Sequence, residues 1–271
     1  MNYNDWQEFE KLSLEYLNSQ YGDYCEFNGK GGHDSTFPDI IAEKNGNIKF
    51  CIEAKSALAQ CGQFVLIPNF ESKEFIFSDR NKSPQKFAIK IMEYMNNNFS
   101  LFSNPSSKGV NLEISESLIY NWVFDYYSQV KNTKFFISEF NNQFIISHIT
   151  NLPYYFNFSA TYRIKTSGSS LPSKKDSVEI IECLKKHNIA FKGEILFQSK
   201  NCQIVLECDN TDQKFILFGE KYRFQFSREL EGNLYSIRRL SNTRNANVIF
   251  TIESKKEQQD LDIKLFLNAL K

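Results

Sequence analysis

Phe37-Pro38-Asp39-Ile40-Ile41-Ala42-Glu43, then Lys44-Asn45-Gly46-Asn47, then Ile48-Lys49-Phe50-Cys51-Ile52-Glu53-Ala54-Lys55, is the stretch that decides the fold. The outer segments are apolar and rich in β-formers, so they read as two strands. Between them Asn45-Gly46 supplies the positive φ that a tight hairpin needs. Side chains alternate across a strand, so Glu53 and Lys55 share one face and Ala54 takes the other. The hairpin brings Asp39 alongside Glu53. Two carboxylates and an ammonium then converge where an otherwise apolar strand pair ends.

Such a cluster has a chemical use. Asp39, Glu53 and the Ala54 backbone carbonyl are hard oxygen donors that suit Mg²⁺. An ion held there orients water, lowers its pKa and offsets charge developing on a phosphodiester. A lysine beside it polarises the water or stabilises the charged transition state. A Glu and a Lys two apart are also what a solvated surface ion pair looks like. The apolar run ahead of the pair, and the second apolar strand with its own Pro38-Asp39, argue against decoration.

Ahead of this stretch, Asn4 or Asp5 can cap a helix reaching about Ser19, with Trp6, Phe9, Leu12, Tyr16 and Leu17 near one face. A short strand candidate at residues 24–27 leads into the turn-like Gly29–Gly32 with His33 and Asp34. Beyond the deciding stretch come an apolar run at 64–68, helices at 83–98 and 115–130 with a polar, turn-rich 96–105 between, and two β runs around Asn141-Asn142. Residues 162–176 are basic and Ser/Gly-rich and read as a loop or domain junction. A helix capped by Asp176 follows, then six strand-like runs within residues 189–254 and a closing helix over 256–270.

The chain has 271 residues, enough for one large or two modest domains, and apolar residues make up 41% of it. The formal net charge is zero, which disfavours a protein that coats nucleic acid indiscriminately. Residues 151–271 carry 19 basic and 14 acidic side chains out of 32 each, so this part is +5 and the rest −5. That offset suits a carboxylate metal site and a separate polyanion-binding surface, or ordinary surface variation. The six cysteines form no CxxC and no zinc spacing, and the three histidines are not spaced for coordination. His33 is therefore not expected to ligate metal. The polar start reads as no signal peptide, and no apolar run approaches the roughly 18–20 residues needed to cross a membrane. The expectation is a cytoplasmic protein with reduced thiols.

Pro38-Asp39 followed by Glu53-Ala54-Lys55 resembles the PD-(D/E)xK signature of the restriction-endonuclease-like nucleases. Trp6 to Leu17 is similar to the Phe-Glu helix of Mrr-like and Holliday-resolvase-like members, with Glu10 at the position of the supporting glutamate and Glu8 as the fallback. The glycines before Asp39 and Gln63 after the lysine also resemble the family. The resemblance spans roughly residues 4–68, to 150 for the fold. It implies an α/β class with an αβββαβ core, a central mixed sheet flanked by helices, and here a β-rich C-terminal region. By resemblance, Asp39 and Glu53 bind Mg²⁺, Lys55 positions or activates water, and Glu10 supports the metal through water. Gln63 would bond near the scissile phosphate, or is a plain polar loop residue.

Residues 1–150 are expected to form the catalytic core and 151–271 a DNA-recognition region. Arg163, Lys165, Ser167, Ser169, Lys174 and Lys175 are candidate DNA contacts, cations and hydroxyls suited to phosphate oxygens. Arg238, Arg239 and Arg244 form a second basic group, and arginine can read guanine bidentately. A mobile linker and a solvated hairpin are the plain alternatives. The layout resembles a type II restriction endonuclease acting on double-stranded DNA as a homodimer, without membrane or organic cofactor. A junction resolvase, a transposon-encoded strand-cutter, an Mrr-type methylation-dependent enzyme and a non-catalytic DNA-binding protein on the same fold are the rivals, as is an unrelated α/β protein.

Overall fold

A computed structural model describes residues 6–29, 38–79, 81–83, 85–106, 108–165, 169–198, 203–209, 214–228, 233–240 and 245–271. Helix α1 (Trp6–Tyr21) opens the chain and is followed by β1 (Glu26–Gly29), β2 (Ile40–Lys44) and β3 (Asn47–Ala54). Asn45 and Gly46 take φ of 53° and 75°, the hairpin geometry that the Asn-Gly pair implies. Next come β4 (Leu58–Asn69), β5 (Glu74–Phe77), α2 (Lys86–Asn97) and α3 (Phe99–Phe102), so the turn-rich 96–105 holds a short helix. After β6 (Val110–Asn111), Ser115 accepts a hydrogen bond from Leu118 N and starts α4 (Glu116–Asp125). This helix widens into a π-helix over Tyr126–Val130. Then β7 (Thr133–Phe140) and β8 (Gln143–His148) turn at Asn141 and Asn142, both at positive φ.

Short helix α5 (Leu152–Tyr155) leads to β9 (Phe156–Lys165). The basic stretch expected to be a loop holds the end of β9, β10 (Ser169–Ser170) and a 3-10 turn at Lys174–Asp176. Helix α6 (Ser177–Lys186) follows. Asp176 sits at its N-cap position but makes no cap bond there, because Oδ2 accepts from the amide and hydroxyl of Ser173 instead. Strands β11 (Phe191–Gln198), β12 (Gln203–Cys208), β13 (Lys214–Phe218), β14 (Arg223–Arg228) and β15 (Leu234–Leu240) come next. The chain closes with β16 (Asn245–Ser254) and α7 (Asp260–Leu270).

The chain divides into two compact units, residues 1–163 with 246–271, and residues 164–245. The expected single boundary at 150 is therefore displaced. Strands β9 and β16 and helix α7 are C-terminal in sequence but belong with the first unit, because β16 pairs β4 antiparallel. A sheet completed by a late strand cannot be divided from its earlier strands.

The first unit carries a mixed sheet in the order β1-β2-β3-β7-β8, in which β3 and β7 run parallel and the other neighbours antiparallel. This is the central mixed sheet flanked by helices. Phe9 and Leu17 of α1 and Phe266 and Leu270 of α7 bury themselves with sheet residues Phe27, Phe50 and Phe135. The Phe266 ring centroid lies 5.1 Å from that of Phe135 and 5.7 Å from that of Phe50. Across the sheet, Tyr127 packs edge-on to Phe136 at 4.8 Å. A second sheet in this unit has the order β5-β4-β16-β9-β6. The other unit is a sheet ordered β11-β12-β15-β14-β13 with β10 beside β15, and its core joins Phe224, Phe226, Tyr235 and Ile237 to Ile180 and Leu184 of α6.

Candidate active site

Asp39 immediately precedes β2, and Ile40 pairs with Ile52, so its carboxylate reaches the end of β3. Asp39 Oδ2 accepts from Ala54 N at 3.0 Å. Glu53 lies on β3 between β2 and β7, opposite Phe136, and is 1% exposed. Lys55 leaves the strand with its amide donating to Ile137 O at 2.9 Å. The hairpin thus brings Asp39, Glu53 and Lys55 together, in the arrangement that the two-residue alternation demands.

The ammonium of Lys55 lies 3.2 Å from Asp39 Oδ2, 2.6 Å from Glu53 Oε1 and 3.1 Å from Ala54 O. These three oxygens are the proposed metal ligands, and they already converge on one cation. Hard oxygens, two of them anionic, around one positive centre are the donor set that Mg²⁺ selects. Among the described residues no three His, Cys, Asp or Glu side chains converge closely enough to ligate a single ion. The main-chain carbonyl is thus needed to complete the set.

A residue that sequence reading missed completes the cluster. Lys131 follows the π-helix, and its Nζ donates to both Glu53 oxygens at 2.8 Å and lies 3.9 Å from Asp39 Oδ1. It is 7% exposed, with the Tyr127 ring centroid 5.4 Å away. Glu53 therefore sits between two ammonium groups.

Electrostatics follow from this crowding. Burial pulls the Lys55 ammonium toward neutrality, but Glu53 and Asp39 outweigh it and hold its pKa above the usual lysine value. Burial pushes the Glu53 carboxyl up, opposed by Lys55 and reinforced by Asp39. On α1, Glu10 is raised to about 7, by burial first and by Asp39 second. Glu10 also lines a cavity of about 410 Å³ together with Trp6, Phe9, Lys55, Leu58 and Gln60. Glu8 is exposed.

Other expected residues are more scattered. Gln63 lies on β4 opposite Ile249 and accepts from Gln60 Nε2 at 2.9 Å, while the cavity wall is built from Gln60. Arg163 is on β9 in the first unit and is partly buried. In the second unit, Lys175 is exposed, and Arg238 and Arg239 lie on β15. Arg239 faces Asp176 at 3.4 Å and lies over the Tyr222 ring at 4.5 Å. The backbones of Lys165, Ser169 and Lys174 are described but not their side chains. Ser167, Arg244, His33 and most of the glycine turn lie outside the described residues.

Comparison with solved structures matches the chain to the HhaI endonuclease in complex with DNA, at 38% sequence identity and a TM-score of 0.84, covering 98% of this chain and 99% of that one. No protein-family model and no curated protein matches it. Identity at that level across nearly the whole of both chains, with the Asp39, Glu53 and Lys55 cluster formed in three dimensions, shows that the chain belongs to the family of the HhaI restriction endonuclease, among the type II PD-(D/E)xK enzymes.

Proposed function

We propose that this protein is a type II restriction endonuclease that hydrolyses phosphodiester bonds at specific sites in double-stranded DNA. The observation that carries the reading is the convergence of Asp39, Glu53 and Ala54 O on the Lys55 ammonium in a chain related end to end to the HhaI endonuclease. Divalent-metal dependence goes with the family, and Mg²⁺ is the ion that the oxygen donors favour. Asp39, Glu53 and the Ala54 carbonyl would hold it, and when bound it lowers the pKa of a water and offsets phosphate charge. Lys55, the more exposed of the two lysines, turns its ammonium to the attacking water or the phosphate oxygens. Glu10 lines the cavity beside Lys55 and would support the metal through water.

Arg163, Lys165, Ser167, Ser169, Lys174, Lys175, Arg238, Arg239 and Arg244 are the proposed DNA contacts, with residues 164–245 as the main recognition unit. The pairing of Arg239 with Asp176 fixes its guanidinium in place, which suits directional readout. Two strands must be cut, and a homodimer would supply two centres, while one chain would make two successive nicks. Light scattering of the protein on DNA separates the two. Five buried cysteines form no disulfide, in keeping with a cytoplasmic enzyme, and among the described residues no helix is long and apolar enough to cross a membrane.

The test is incubation with unmethylated phage DNA in Mg²⁺. Discrete fragments are expected. A smear would indicate nonspecific cutting, and cleavage of four-way junctions alone would indicate a resolvase. DNA binding without cleavage would leave a non-catalytic protein on this fold.

A further inference from the structure

Two ammonium groups surround Glu53, and they are not equivalent. Lys55 touches Asp39 Oδ2, Glu53 Oε1 and Ala54 O, the complete proposed metal cradle. Lys131 takes the other side, with both Glu53 oxygens and the second oxygen of Asp39, Oδ1. The two lysines share one oxygen, Glu53 Oε1. Carboxylates that bridge two cations in this way are the arrangement of two-metal phosphodiesterase centres. Here the second cation is part of the chain.

Lys131 is also the less able to leave. Its side chain is 7% exposed against 16% for Lys55. The Tyr127 ring lies on it, and it follows directly on the π-helix, a backbone irregularity often found at functional sites. A buried ammonium without its carboxylate would carry a heavy desolvation penalty, so Lys131 stays where Glu53 is.

We propose that Lys131 is a positioning residue that fills the second-cation position of this centre, fixing the Glu53 carboxylate and leaving room for one divalent ion. It rests on the reading of the site as a metal-dependent nuclease centre. Lys55 yields its cradle to the ion, and Lys131 remains behind Glu53. With Lys131 gone, the carboxylates lose a permanent counter-charge. A second ion then enters, and Glu53 is no longer held in one orientation.

The test counts Mn²⁺ bound to the full chain by electron paramagnetic resonance, beside single-turnover cleavage of phage DNA in Mg²⁺. The wild type is expected to bind one ion per chain. Lys131→Ala is expected to bind two, and to cleave at least 100-fold more slowly at saturating Mg²⁺. Lys131→Arg, which keeps the charge, is expected to bind one. A residue that merely packs would leave the ion count unchanged. Two ions in the wild type, or one ion with unchanged affinity in Lys131→Ala, overturns the proposal. Should Lys131→Ala fail to fold, Lys131→Met, which keeps the bulk and removes the charge, carries the same expectation of two ions. A wild type that leaves DNA intact would instead overturn the nuclease reading, whatever its ion count.

Discussion

Replacing Glu53 by Gln tests the electrostatic account of the centre without changing its shape. Glu53 is 1% exposed and receives two hydrogen bonds of 2.8 Å from Lys131, itself 7% exposed. Removing one partner of a buried ion pair typically costs about 3–5 kcal/mol, because the surviving charge is left in a poor solvent. Asp39 Oδ1, 3.9 Å from Lys131, offsets a fraction of that, so about 3 kcal/mol is expected for Glu53→Gln in the metal-free protein. Lys131→Met alone leaves Glu53 with Lys55 at 2.6 Å and should cost less, about 2 kcal/mol. The double variant removes both charges, and its cost should fall well short of the sum of the single costs, with a coupling of about 2 kcal/mol or more. Urea unfolding followed by tryptophan fluorescence reports this, since Trp122 is fully buried. Single costs that add to within about 0.5 kcal/mol would mean that the two groups do not interact, refuting the charge arrangement described.

Three further outcomes follow from other parts of the structure. The Glu10 carboxyl is raised to about 7 by burial and by Asp39, so the folded protein holds this proton more tightly than the unfolded chain. Its contribution is fully present below about pH 4.5 and lost as pH rises through 7, about 1–2 kcal/mol after allowing for solvent screening of a partly exposed group. Denaturation of metal-free protein at pH 5 and pH 8 should show that loss in the wild type and not in Glu10→Gln. A Cβ on Gly62 would meet the Trp122 ring, 2.9 Å from Cη2, and Trp122 packs on Phe250 and stacks on Tyr126 of the π-helix. Gly62→Ala should cost about 1–3 kcal/mol and slow cleavage by displacing Lys131, measured by thermal melting beside a cleavage assay. Asp262 is buried and accepts from Tyr155 Oη at 2.7 Å, Asn151 Nδ2 at 2.9 Å and His148 N at 3.1 Å, so Asp262→Asn should loosen α7 at a cost of about 2 kcal/mol, seen as faster amide exchange in 260–270.

Local signals were readable and long-range ones were not. Asp39, Glu53 and Lys55 lie within one hairpin, so strand alternation and the Asn45-Gly46 turn were enough to bring them together. Lys131 has no such signature. It reaches Glu53 only because β7 adds to β3 in parallel, with Thr133 beside Cys51, and sequence pattern does not specify which distant strand pairs with which. Lys134, three residues on, looks as suitable from sequence, yet its ammonium lies near the Phe50 and Phe135 rings. The division into units is not local either, since the pairing of β16 with β4 spans most of the chain. Asp176 did mark the start of α6, but its carboxylate turned to Ser173 and Arg239, an exchange that cap propensity does not foresee.

The most direct test of the account compares the wild type with Lys55→Ala and Asp39→Asn on one phage DNA, with and without EDTA, and maps the ends of the products. Discrete fragments with a common sequence at every end are expected, abolished by EDTA and by either substitution, while gel shifts in Ca²⁺ show that both variants still bind the DNA. Fragments that persist in Lys55→Ala or Asp39→Asn at the wild-type rate would place the chemistry elsewhere and contradict the assignment of this centre.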